Sequence, residues 1–120
     1  MQQELRIAFR NMDVSEALER RIRSRVANLE QLCSRITACD VVVEPHFRHP
    51  HQHKLFDIRI DLAIPGRTIV VRREPAENHA HEDAHVAVRD AFDTARRQLE
   101  DHLRVIRGEV KVHAKAVPAV

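Results

Sequence analysis

The chain contains no tryptophan and no tyrosine, and its four phenylalanines bring the aromatic content to only 3%. Proteins that grip single-stranded nucleic acid by stacking need aromatic faces, so that mode of binding is excluded as the organising chemistry. Long apolar runs are missing too: nothing approaches the roughly 18 to 20 residues that a membrane-spanning helix requires. The opening MQQELRIAFR has no apolar segment of the kind a secretory signal carries, and the expected location is the cytoplasm. Cysteine is scarce. Cys33 and Cys39 form no Cys-x-x-Cys spacing, and in a reducing compartment they read as small core hydrophobes.

What is present is ordinary for a globular domain: 120 residues, 43% hydrophobic and 32% charged. That length supports one core and not two. The net charge of +2 is mild, so composition alone does not announce a polyanionic partner. Nine histidines are the compositional oddity. The domain is expected to span residues 1–108. Residues 109–120 show no sustained pattern and read as a flexible C-terminal tail.

Periodicity gives the elements. Leu5, Ile7 and Phe9 alternate with polar or small residues, as in a half-buried strand. Ser15 is placed as an N-cap. Leu18, Ile22, Val26, Leu29 and Cys33 then recur every three or four residues, marking an amphipathic helix of about five turns. A β-branched run over 36–44 reads as a buried strand that Pro45 ends, and the polar, histidine-rich 46–54 reads as a hairpin loop. Phe56, Ile58, Ile60, Leu62 and Ile64 give the cleanest alternation in the chain. Pro65-Gly66 is a tight turn, and 68–73 returns as a strand. A long helical pattern follows over 81–107, with His85, Val88, Phe92, Ala95, Leu99, Leu103 and Ile106 on one stripe and Gly108 as its C′ residue. The order β-α-β-β-β-α predicts an α+β fold, with two helices packed on one face of a four-stranded mixed sheet and the other face wet. The first two strands should be parallel.

One stretch inside the last helix carries two texts. His81-Glu82-Asp83-Ala84-His85 matches H-E-x-x-H, in which two histidines one helical turn apart share a zinc ion and the glutamate activates its water. A third ligand would have to come from Glu100 or from the histidines at 46, 49, 51 and 53. Against this, the match sits where the helix begins, and the stripe turns His85 toward the core. One alternative function is therefore a zinc-binding protein using this segment and the histidine-rich loop. The leading expectation has no metal, no cofactor, no small-molecule substrate and no catalytic group.

The second text is charge. Helix 82–107 holds five arginines against six acids, and helix 15–32 holds four against three. Counted this way, neither helix is a basic patch, and both read as salt-bridged exposed faces.

The element order, the opening Val14-Ser15-Glu16-Ala17-Leu18, the run Arg25-Val26-Ala27-Asn28-Leu29-Glu30, and His81-Glu82-Asp83 followed by Arg97-Gln98-Leu99 together resemble the hibernation promoting factor / ribosome-associated inhibitor A family, also called the sigma-54 modulation protein family, in its short form. The resemblance implies a non-enzymatic protein that binds rRNA of the small ribosomal subunit in the decoding region. There it would block tRNA and mRNA binding under stress or in stationary phase. Arginine forks suit this, since they pair with phosphate bidentately and need no base readout. By the resemblance, Arg25 and Arg97 are the closest carry-over for rRNA contact, with Arg104, Arg107 and Lys111 in the region of a basic helix end. Helical geometry adds Arg21, Arg89 and Arg96. The chain departs from the family's pattern at Asn28 and Thr94, where lysine is common, at Asp101 and Leu103, where basic residues are common, and at His85, where tyrosine is the familiar residue; the acidic changes in the last helix leave as a second alternative a stress-response interaction module that has lost ribosome binding.

Overall fold

The computed structural model describes residues 4–46, 55–74 and 83–108. The elements run in order β1 (Glu4–Phe9), α1 (Glu16–Leu32), β2 (Ala38–His46), β3 (Leu55–Ile64), β4 (Arg67–Arg73) and α2 (Ala84–Ile106). The four strands form one sheet in the order β1-β2-β3-β4, with β1 parallel to β2 and the other pairs antiparallel. This is the expected α+β arrangement. No described helix is long and apolar enough to cross a membrane.

Register explains the two faces. Leu5, Cys39, Leu62 and Ile69 lie in one cross-strand row, and Ile7, Val41, Ile60 and Val71 in the next. Successive side chains on a strand point to opposite faces, so these rows share the face covered by the helices. Cys39, Val41, Val43, Ile58, Ile60, Leu62, Ile69 and Val71 are buried there with Leu18, Ile22, Val26 and Leu29 of α1. Removing each large aliphatic side chain from water stabilises the fold by about 1.5–3 kcal/mol. The opposite face keeps its charges in solvent, where Arg6 bonds Asp40 at 2.8 Å and Arg59 bonds Asp61 at 3.2 Å.

The ends are chemically specified. Ser15 caps α1, its hydroxyl accepting from the Leu18 amide at 3.2 Å. Gly66 and Gly108 sit at φ +80 and +79, the left-handed region that L side chains avoid. Gly108 donates its amide to the Val105 carbonyl, closing the last turn of α2.

Three sequence expectations need correction. Pro45 does not end β2, which continues to His46 with Pro45 opposite Phe56. The Val43 carbonyl accepts from Arg10 on the β1 side, and two residues further on the Pro45 nitrogen points the same way. β1 has already ended at Phe9, so no ladder bond is lost. Helix α2 starts at Ala84, not 81, because Asp83 caps it by accepting from the His85 amide at 2.8 Å. Ile106, placed on the core stripe, is 58% exposed, whereas Ala87 and Ala91 are fully buried. Alanine lets the helix backbone approach the sheet. α2 packs over β3 and β4, and its final turn carries Ile106 into solvent.

Candidate nucleic-acid interface

The arginines singled out from the sequence are brought together unequally, and helical angle decides how. At about 100° per residue, Arg21, Arg25 and Asn28 fall on one flank of α1. Glu16, Glu19 and Glu30 fall on the other, where Glu19 bonds Arg23 at 3.4 Å. The near-zero charge of α1 is thus a sum over two flanks of opposite character. The basic flank faces α2: Arg25 stands 4.0 Å from Asp93.

Between the helices lies an open groove of about 640 Å³, lined by Arg20, Arg21, Ser24, Arg25, Asn28 and His85, with Ala17 at its edge. Among the described residues no carboxylate lines it. Arg20 and Arg21 have no ion-pair partner among the described residues. The described lining is rich in donors and positive charge, which suits an oxyanion.

α2 is not divided so cleanly, because Asp93 and Glu100 fall among the arginines of its α1-facing flank. His85, Arg89, Arg96 and Arg107 lie along the flank nearer α1. Arg97 and Arg104 lie along the other flank, beside Asp90 and Asp101. The second flank is fixed by Asp90, which accepts from Arg73 of β4 at 3.1 Å. Most α2 arginines already meet acids: Arg89 with Asp90 at 3.3 Å, Arg96 with Glu100 at 3.1 Å, and Arg104 with Asp101. Arg97 instead donates to the Thr94 hydroxyl at 3.3 Å. Pairs this exposed hold their charges weakly and open at little cost. Lys111 lies outside the described residues.

The larger depression, about 830 Å³, is the uncovered face of the sheet. Its arginines alternate with Asp40, Glu44, Asp57, Asp61 and Glu74, so it presents no field of one sign.

The zinc segment falls largely outside the described residues. His85 lies in the first turn and Asp83 precedes it as the cap; His81, Glu82 and the histidines at 49, 51 and 53 lie outside the described residues. No group of three or more histidine, cysteine or acidic side chains able to hold a metal occurs among the described residues. Both cysteines are buried and free. Burial, aided by Asp40, Asp61 and Glu30, pushes the Cys39 thiol up to about 12, which removes it as a nucleophile.

The family model described as Sigma 54 modulation protein / S30EA ribosomal protein matches residues 5–107. The chain belongs to this family. Two solved structures share the fold of this S30EA family member. A ribosomal subunit interface protein from Coxiella burnetii aligns with a TM-score of 0.67 at 14% identity, covering 82% of this chain and 96% of the other. The Protein Y N-terminal domain of Thermus thermophilus aligns with a TM-score of 0.65 at 19% identity, covering 85% and 99%. No curated protein sequence matches.

Sequence reasoning on this family member missed Arg20 as a groove residue, along with Ser24, and weighed His85 as a core residue or a zinc ligand but not as part of this groove. Counting charge along a helix discards angle. Placing Glu16, Glu19 and Glu30 on a helical wheel against Arg21 and Arg25 would have exposed the acid-free flank.

Proposed function

We propose that this protein is a ribosome-associated translation inhibitor that docks on rRNA of the small subunit in the decoding region. It blocks tRNA and mRNA binding there in idle ribosomes, under stress or in stationary phase. The observation that carries the reading is the family match to S30EA ribosomal proteins across residues 5–107. A solved relative described as a ribosomal subunit interface protein agrees with it. The groove supplies the chemistry. Guanidinium groups on a rigid two-helix layer hold phosphate oxygens through charge-assisted, forked hydrogen bonds, and a surface that reads rRNA by shape needs few aromatics.

The proposed contacts are Arg21 and Arg25 in the groove, joined by Arg20. Arg89, Arg96 and Arg107 extend the surface along α2, Arg97 and Arg104 serve a second strip toward its C-terminal end, and Lys111, outside the described residues, is the remaining proposed contact. The protein acts in the cytoplasm by occlusion, with no catalytic step and no cofactor. Sucrose-gradient sedimentation of lysate from stationary-phase cells tests this: at low salt the protein should travel with the small subunit or the whole ribosome. Recovery only at the top of the gradient would refute it.

A further inference from the structure

We propose that the α1–α2 groove seats a single phosphate group, with His85 acting as a neutral donor beside Arg21 and Arg25. This rests on the reading of the protein as an rRNA-phosphate binder and assigns the atoms that make one contact. Three observations point to a ligand that only accepts hydrogen bonds.

The first is charge. Three guanidinium groups line one groove, and no carboxylate lines it among the described residues. Among the described residues Asp93 alone comes within ion-pair reach, at 4.0 Å from Arg25. Like charges gathered on a rigid scaffold repel, and an anion placed between them relieves that repulsion. The second is donor chemistry. Ser24 and Asn28 add neutral donors along the same wall, and arginine is donor-only. A tetrahedral oxyanion satisfies all of these at once.

The third is the histidine ring. His85 lines the groove, yet its Nδ1 is sealed from solvent and has no hydrogen-bond partner among the described residues. A proton on Nδ1 would be a buried donor left unmade, which is costly; a bare lone pair there costs less. The proton therefore sits on Nε2, and the Nε2–H is what the ring offers to the groove. A ring in this state donates and cannot ligate a metal through Nε2. The His85 backbone amide takes no part, being held by Asp83 at 2.8 Å.

The test is nitrogen-15 NMR of the full chain during titration with inorganic phosphate, against sodium chloride at matched ionic strength. The expected result is a His85 ring protonated on Nε2, with its Nε2 and the Arg21 and Arg25 side-chain signals moving together and saturably. Arg72, exposed on the opposite sheet face, should stay still. Arg21→Ala with Arg25→Ala should weaken the phosphate constant by about tenfold or more, the scale of lost charge-assisted bonds. His85→Phe, which keeps a flat ring, should weaken it by a few fold. A proton on Nδ1, or shifts that never saturate and appear equally at Arg72, would overturn the seat. The two readings separate cleanly. Saturable phosphate binding without ribosome co-sedimentation keeps the seat and removes the ribosome. Unimpaired co-sedimentation of the double-alanine protein, with no saturable phosphate shift, removes the seat alone.

Discussion

Asp93 of α2 stands 4.0 Å from Arg25 of α1, and it is the one carboxylate in ion-pair reach of the groove arginines among the described residues. It joins the two helices and also competes with any anion that enters between them. The Arg25 side chain is 25% exposed and that of Asp93 53%, so solvent screens the pair and its contribution to stability is small.

Asp93→Asn should therefore separate binding from folding. We expect urea unfolding to change by no more than about 0.5 kcal/mol. Affinity for a small-subunit rRNA fragment should rise a few fold, with a steeper dependence on salt because Arg25, relieved of its carboxylate, displaces more counterion from the phosphates. Weaker binding at unchanged stability would show that Asp93 helps to form the docking surface and does not oppose it.

The buried alanines of α2 give a packing prediction. Ala91 is fully buried between α2 and the sheet, where the added isopropyl group has no room. Ala91→Leu should lower unfolding free energy by about 1–3 kcal/mol through overpacking. Val86→Leu, at a position 37% exposed on the same helix, should stay within about 0.5 kcal/mol. Equal effects at the two sites would mean that α2 does not lie on the sheet as described.

Cys39 sets an alkaline limit. Its thiol is held at about 12 in the fold, well above an ordinary value near 9. Once pH passes the ordinary value, the unfolded chain gives up this proton while the folded chain keeps it. Stability is then complete below about pH 9 and falls as pH rises, by at most about 1.4 kcal/mol per pH unit from this group. Denaturant melts between pH 8 and pH 10.5 should show that slope in the native sequence and a shallower one in Cys39→Ala. Parallel slopes would assign the alkaline loss to other groups.

The fold was legible where burial is one-sided. The α1 stripe from Leu18 to Leu29 and the β3 alternation through Ile58, Ile60 and Leu62 read directly, because each element covers one face and exposes the other. Alanine carries no such signal, and the burial of Ala87 and Ala91 appears only once α2 lies on β3 and β4. Pro45 misled because its effect depends on which edge its nitrogen faces, and that requires knowing where β1 stops. At the site, Arg21 and Arg25 were legible as residues but not as a groove. Their isolation from Glu16, Glu19 and Glu30 is a matter of angle around α1, and the approach of His85 is a matter of tertiary packing.

The most direct measurement is co-sedimentation of purified protein with small ribosomal subunits at low salt, comparing the native sequence, Arg21→Glu with Arg25→Glu, and Arg72→Glu on the far face of the sheet. Docking through the α1–α2 groove predicts that the native protein and Arg72→Glu pellet with the subunit, while the groove double variant stays in the supernatant. A native protein that fails to pellet, or equal loss of binding in the groove and sheet-face variants, would contradict it.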